Sequence, residues 1–204
     1  MKARGPKKLH AEQTRARIQE SATRLFVTQG FSASSIAQIA KAADVTGGAL
    51  YAHFPSKEAL LLSLLKRWEE DFLDVLIAGT RCAPGNALDK LHKMVSLGAA
   101  FAAEQKDISL LLAIVSADLH GAGNAIGAEL RRLNETHVRF VSDLVADGQT
   151  EGVIDPSFDT RTLARVIVAF YEGVLLQWQR TPGEAEGREL VKTLRKMLVR
   201  GCTP

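Results

Sequence analysis

Residues Asp44–Leu60 read DVTGGALYAHFPSKEAL, and the reading of this stretch decides the fold. Asp44 follows Ala43 at a turn, and Asp enters the left-handed backbone region more easily than most residues with a side chain. Thr46 is a good N-cap, so a short helix is expected over Thr46–His53. Gly47 and Gly48 weaken it. Each glycine costs about 1 kcal/mol relative to alanine in a helix interior, and less in a first turn. Pro55 ends the segment. Ser56 and Glu58 then start another helix, with a capping hydroxyl and an acid at its positive end.

Upstream, the pattern turns helical from about Ala11. Ile18, Ala22, Leu25 and Phe26 share one face, and Gly30 closes that helix. Ser34 and Ser35 offer N-caps for a second short helix carrying Ile36, Ile39 and Ala40. Three helices in about 45 residues, the last two joined by a tight turn, form a helix-turn-helix unit. The apolar residues meet inside with Val45, Leu50 and Phe54. Thr46, Gly47, Ala49, Ala52 and His53 then face outward, as a flat uncharged surface suited to a major groove. A three-helix bundle with no ligand would use the same pattern. Charge favours a polyanion: residues 1–58 hold nine Lys/Arg against four acids, whereas the remainder holds 17 against 19. Residues 1–10 are read as a flexible basic arm.

The stretch GFSASSIAQIAKAADVTGGALYAHFPSKEALL (30–61) resembles the DNA-binding segment of the TetR family of bacterial transcriptional regulators. Gly30, Phe31, Ser34, Ser35, Ile39, Ala40, Val45, Thr46, Gly48, Leu50, Tyr51, His53, Phe54, Lys57 and Leu60 carry the match. Asp44 departs from it, where the family has glycine. The resemblance implies double-stranded operator DNA as partner. It places Ser34, Ser35, Thr46, Tyr51, His53 and Lys57 at phosphates and Gly47, Ala49 and Ala52 near bases, with Gly48 in the same DNA-binding set as a position of the family pattern. The arm would follow the backbone or enter the minor groove. Structural roles remain open for Tyr51 (a packing hydroxyl), His53 (a solvated helix end) and Ser34 (a cap).

The rest of the 204-residue chain reads as helices: Lys57–Ile77, 87–104, 107–119, 125–148, 160–180 and 184–200. No segment alternates with the period of a strand. The expected fold is all-α with about nine helices, divided into a DNA-binding domain (1–55) and an effector-binding and dimerisation domain (56–204). With 46% hydrophobic and 24% charged residues, the chain is globular rather than disordered. No apolar run is long enough for a membrane span. The charged N-terminus lacks the apolar run of a secretory leader. Cys82 and Cys202 stand alone, pointing to a reducing cytoplasm and no structural metal.

The last two helices carry more apolar surface than one face needs. Leu163, Val166, Phe170, Gly173, Val174, Gln177, Leu190, Val191, Leu194, Met197 and Leu198 are expected to pair two copies of the chain. The resemblance implies a four-helix homodimer interface there, and an effector cavity in the middle helices. Polar residues on apolar faces (His92, Asp118, His137, Glu172) and aromatic residues (Phe101, Phe140, Trp178) are its candidate lining. For each of them a core or surface role is the alternative. The function expected is a ligand-responsive regulator, most often a repressor in this family, released from a palindromic operator by a small, mainly apolar effector. An enzyme would need a catalytic constellation, and the sequence contains no HExxH, P-loop, dinucleotide fingerprint or nucleophile elbow. A metal sensor using His92, His120 or His137 would lack ligand pairs on one helix turn. No cofactor is expected.

Overall fold

Apolar side chains at three- and four-residue intervals fold the chain into nine helices among the described residues, with no strand. The structure, a computed structural model, describes residues 6–119, 123–180 and 183–203. The helices are α1 (Pro6–Gln29), α2 (Ile36–Ala42), α3 (Gly47–His53), α4, α5 (Ala87–Glu104), α6 (Lys106–Asp118), α7 (Ala125–Thr150), α8 (Thr160–Arg180) and α9 (Glu184–Cys202). Helix α4 is a continuous run of Lys57–Trp68, a π turn over Glu69–Leu73, and Asp74–Arg81. No helix among these is long and apolar enough to cross a membrane.

Two expectations shift at the ends of helices. Helix α1 begins at Pro6, not near Ala11, because proline fits a first helical position whose N–H has no partner in any case. The second half of the basic arm is therefore helical, and its first five residues lie outside the described ones. The helix expected to stop at Ile77 runs to Arg81. Its π turn has a packing reason. Trp68, Phe72, Leu76 and Thr80 are all buried at four-residue spacing. In a regular helix three such steps would swing the stripe through about 120°. Residues added by i→i+5 bonding absorb part of that drift.

Two compact units emerge. The first comprises Met1–Arg67 with Leu111–Glu129, the second Trp68–Leu110 with Leu130–Pro204. The core of the first holds Ile18, Phe26, Ile39, Leu50, Phe54, Leu60, Leu64, Leu111 and Val115. The core of the second holds Leu91, Met94, Val95, Leu133, Val141, Val145, Ile167 and Tyr171. Asn86 and Asp89 cap α5 reciprocally, and the N–H of Ala87 donates to Glu151 at 2.7 Å. Arg132 grips Glu69 with two hydrogen bonds of 2.9 and 2.6 Å. The N–H of Asp155 donates to the Cys202 carbonyl at 2.8 Å, pinning the α7–α8 turn to the end of α9.

Helix α5 meets α8 at a glycine. A Cβ on Gly98 would collide with the ring and hydroxyl of Tyr171, which is itself buried. Gly98→Ala is expected to cost about 1–3 kcal/mol through overpacking. Gly47→Ala, where nothing lies within 4 Å of the added carbon, should cost nothing measurable. Urea denaturation of the two variants against the parent chain checks this contrast.

Candidate functional site

Helix α3 has seven residues, two of them glycine at its start. A helix this short does not persist alone in water, so its position is set by its surroundings. Asp44 takes φ 53°, the left-handed turn expected of it. Thr46 caps the helix, its hydroxyl accepting from the N–H of Ala49 at 3.1 Å. Leu50 and Phe54 are buried. Thr46, Gly47, Gly48, Tyr51 and Ala52 are left exposed, with Ala49 and His53 half-buried. Nothing lies within 4 Å of a Cβ added to Gly47 or Gly48, so packing inside the chain does not account for them. The outer face is as bare as the sequence suggests.

Two cations that the sequence leaves undistinguished or assigns elsewhere bond inside this unit, Arg15 at the end of α3 and Lys57 at the turn between α1 and α2. The guanidinium of Arg15 donates to the His53 carbonyl at 3.2 Å and lies 4.2 Å from the Phe54 ring centroid. It closes the C-terminus of α3, where a cation is favoured by the helix dipole. Lys57, expected at a phosphate, donates from Nζ to the carbonyls of Phe31 and Ser34, both at 2.9 Å, over the Phe31 ring. Two of its three donors are therefore spent inside the unit. Ser34 is also redirected. Its buried hydroxyl donates to the Gly30 carbonyl at 2.7 Å, tying α2 to the end of α1 instead of facing solvent. Ser35 is the true N-cap of α2, in a reciprocal box with Gln38.

Asp118, expected near an effector, belongs to the first unit. Its carboxylate accepts from the N–H of Ser32 at 2.8 Å and lies beside Gly30, which has φ 85°. A carboxylate at the C-terminus of a helix opposes the dipole, and the Ser32 bond offsets that.

The other effector candidates lie in the second unit but do not gather at one place. His137 is buried, its ring edge-on to Tyr171 at 5.9 Å. Burial pushes its pKa down from 6.5 to about 4. Phe140, one turn along, is buried beneath the Arg81 guanidinium. Phe101 stacks on Phe72 at 4.7 Å, and Phe72 on Trp68 at 5.1 Å. Glu172 is half-buried, which raises its carboxyl pKa. The indole of Trp178 presses on Gly187 of α9. His92 points elsewhere: Nε2 bonds the Arg195 carbonyl at 3.1 Å, in a groove of about 290 Å³ shared with Lys192, Lys196, Val199 and Arg200. Tyr171, Trp68 and Thr80, which are buried polar residues of this interior, escape the sequence reading because helical spacing places them among apolar neighbours. No cluster of three metal-binding side chains occurs among the described residues.

The residues expected to pair two chains divide into two sets. Leu163, Leu194 and Leu198 are buried within the subunit. Val166, Phe170 and Met197 are 43%, 49% and 52% exposed. Gly173, Val174, Leu190 and Val191 are half-buried and Gln177 is exposed.

Comparison with known proteins places this geometry. Residues 18–64 match the family described as bacterial regulatory proteins, tetR family. The HTH-type transcriptional regulator UidR of Escherichia coli (strain K12) is 30% identical over 166 residues, 81% of each chain. The crystal structure of the MbdR regulator from Azoarcus sp. CIB superposes with a TM-score of 0.83 at 33% identity, covering 94% of this chain and all of that one. The FadR regulator from Bacillus subtilis, solved with stearoyl-CoA, gives a TM-score of 0.75 at 20% identity, covering 91% of this chain and 98% of that one. The last likeness is one of fold.

Lys57→Met is expected to lower stability by about 1–3 kcal/mol, by removing the lysine's bond to the Phe31 carbonyl, which keeps the Ser34 N–H, and to the Ser34 carbonyl. The slope of log affinity for DNA against log salt should stay unchanged, whereas loss of a phosphate contact would reduce it by about one. A salt series on parent and variant reads the difference. His137 supplies a second expectation. The unfolded chain takes up its proton near pH 6.5 and the folded chain only near 4. Stability present above pH 6.5 is therefore lost as pH falls toward 4, by up to about 1.4 kcal/mol per unit. His137→Phe should flatten that part of a stability–pH profile from urea titrations.

Proposed function

This chain belongs to the TetR family of bacterial regulatory proteins, and from that premise we propose that it is a repressor working as a homodimer on a palindromic operator. As a helix-turn-helix transcriptional regulator it binds DNA. The observation that carries the finer reading is the bare outer face of α3, fixed from behind by Leu50, Phe54 and Arg15. Gly47, Gly48, Ala49 and Ala52 let the backbone approach base edges. Thr46, Tyr51 and His53 flank them within reach of phosphates, with Ser35 at the start of α2. With so few side chains for direct readout, groove width and deformability supply part of the specificity. Lys57 and Ser34 serve by shaping the unit rather than by touching DNA.

One such unit grips a half-site weakly, and a two-fold dimer reads two half-sites about 34–36 Å apart or a multiple of that. The surface that would pair is the α8–α9 face carrying Val166, Phe170 and Met197. Large apolar side chains left half exposed together favour burial against a copy of themselves. Gly173, Val174, Leu190 and Val191 extend this face, with Gln177 at its rim, while Leu163, Leu194 and Leu198 back it from inside. The functional division follows: residues 1–55 read DNA, and residues 56–204 pair and bind the effector in the cytoplasm.

The effector enters the second unit, whose interior carries His137, Phe140 and Phe101. Its binding favours a conformation whose two α3 helices no longer match the half-site spacing, and the population shifts off the operator. Stearoyl-CoA, bound in the Bacillus subtilis FadR structure that shares this fold, belongs among the first effectors to try.

Selection from random duplex DNA should yield two-fold symmetric sites, bound with an affinity that falls steeply with salt. Absence of sequence preference at every salt concentration would sink the reading. Phe170→Glu should give a folded monomer by sedimentation, with operator affinity lost.

A further inference from the structure

A groove of about 290 Å³ runs between α5 and α9 in the second unit, lined by His92, Lys192, Arg195, Lys196, Val199 and Arg200. Phe101, His137 and Phe140 do not line it, so it stands apart from the interior proposed for the effector. Met197, on the face proposed to pair, does not line it either. Two residues turn a helix through about 200°, so Arg195 and Val199 lie across α9 from Met197. Pairing through Met197 does not use this side of the helix.

The charge of the groove is one-sided. Residues 190–202 hold four cations and no acid. A helix dipole favours cations only within the last turn. It accounts for Arg200 and not for Lys192, Arg195 or Lys196. The acids nearest in sequence are engaged: Glu189 pairs with Lys192 at 3.1 Å, and on α5 Asp89 accepts from the Asn86 N–H at 3.0 Å. Arg195, Lys196 and Arg200 have no ion-pair partner among the described residues. Lys192, Lys196 and Arg200 recur at four-residue intervals, where like charges on a helix repel. Folding gains nothing from that arrangement, whereas an anion held in the groove would.

Between the charged heads the walls are apolar. Val199 is half-buried, and lysine and arginine lay their stems along apolar surface while their heads stay in water. His92 is fixed as one wall. A carbonyl only accepts, so its Nε2 donates to the Arg195 carbonyl at 3.1 Å and ties α5 to α9. The lining offers two guanidiniums, which meet phosphate oxygens with paired bonds, and two ammoniums, which act as point charges. A carboxylate carries a single charge, while a phosphate monoester brings nearly two and three acceptor oxygens. The volume lies at the small end for organic ligands, which suits a compact molecule.

We propose that this groove is a binding site for a small organic phosphate, with its phosphate among Arg195, Lys196 and Arg200 and its apolar body against Val199, the His92 ring and the Lys192 stem. The site does not depend on the regulator reading.

Calorimetric titration of the full chain with phenyl phosphate, inorganic phosphate, benzoate and benzyl alcohol tests it. Phenyl phosphate should bind on the order of tenfold more tightly than each of the others, and more weakly as salt rises. Arg195→Gln combined with Lys196→Gln should weaken phenyl phosphate by about tenfold or more. The melting temperature without probe should not fall, because both side chains are exposed and neither has an ion pair to lose. Parity of inorganic phosphate with phenyl phosphate means an adventitious ion only and overturns the proposal. Parity of benzoate or benzyl alcohol, or binding of none of the four, overturns it as well. So does unchanged affinity in the double variant, as binding at the basic residues of the first unit would give. Tighter capture of a Glu-rich peptide, lost in the same variant, would make the groove a protein-docking surface and overturn it too.

Discussion

A seven-residue helix that opens with two glycines cannot hold its own shape, and the first unit is built around that constraint. Leu50 and Phe54 anchor α3 from beneath, Thr46 caps its start, and Arg15 closes its end. Further back, Lys57 gathers the Phe31 and Ser34 carbonyls, Ser34 bonds Gly30, and Asp118 holds the Ser32 amide. These bonds fix the turn between α1 and α2, on which α3 in turn packs. The bareness of the outer face and the density of polar bonds behind it are two sides of one arrangement. On the proposed reading, the α3 backbone approaches DNA closely and is aimed by groups that do not stand in the way.

The second unit tolerates two features that an isolated globular domain avoids. It exposes Val166, Phe170 and Met197 on neighbouring helices, and among the described residues it buries four side-chain polar atoms with no hydrogen-bond partner in the chain. The homodimer proposed above would cover the apolar face.

Much of the first unit is legible in the sequence because local rules govern it. Asp44 in the left-handed turn, Thr46 as cap and Gly30 as terminator each depend on a few neighbouring residues. What escaped depends on contacts across many residues. Lys57 lies 26 residues from Phe31, and Asp118 lies 86 from Ser32. No spacing rule distinguishes a lysine turned inward from one turned toward phosphate. The π turn in α4 was hidden because Trp68, Phe72, Leu76 and Thr80 also suit an ordinary helix over two or three turns. Tyr171 escaped because on α8 it falls among apolar neighbours, and only the glycine opposite it on α5 shows where its hydroxyl goes.

The central claim is that two copies of the chain present their α3 helices to one operator. Hydroxyl-radical footprinting on a selected operator tests it most directly. The account predicts two protected patches related by two-fold symmetry, centred one helical turn or a multiple of it apart. A single asymmetric patch, or protection with no fixed register, would contradict it.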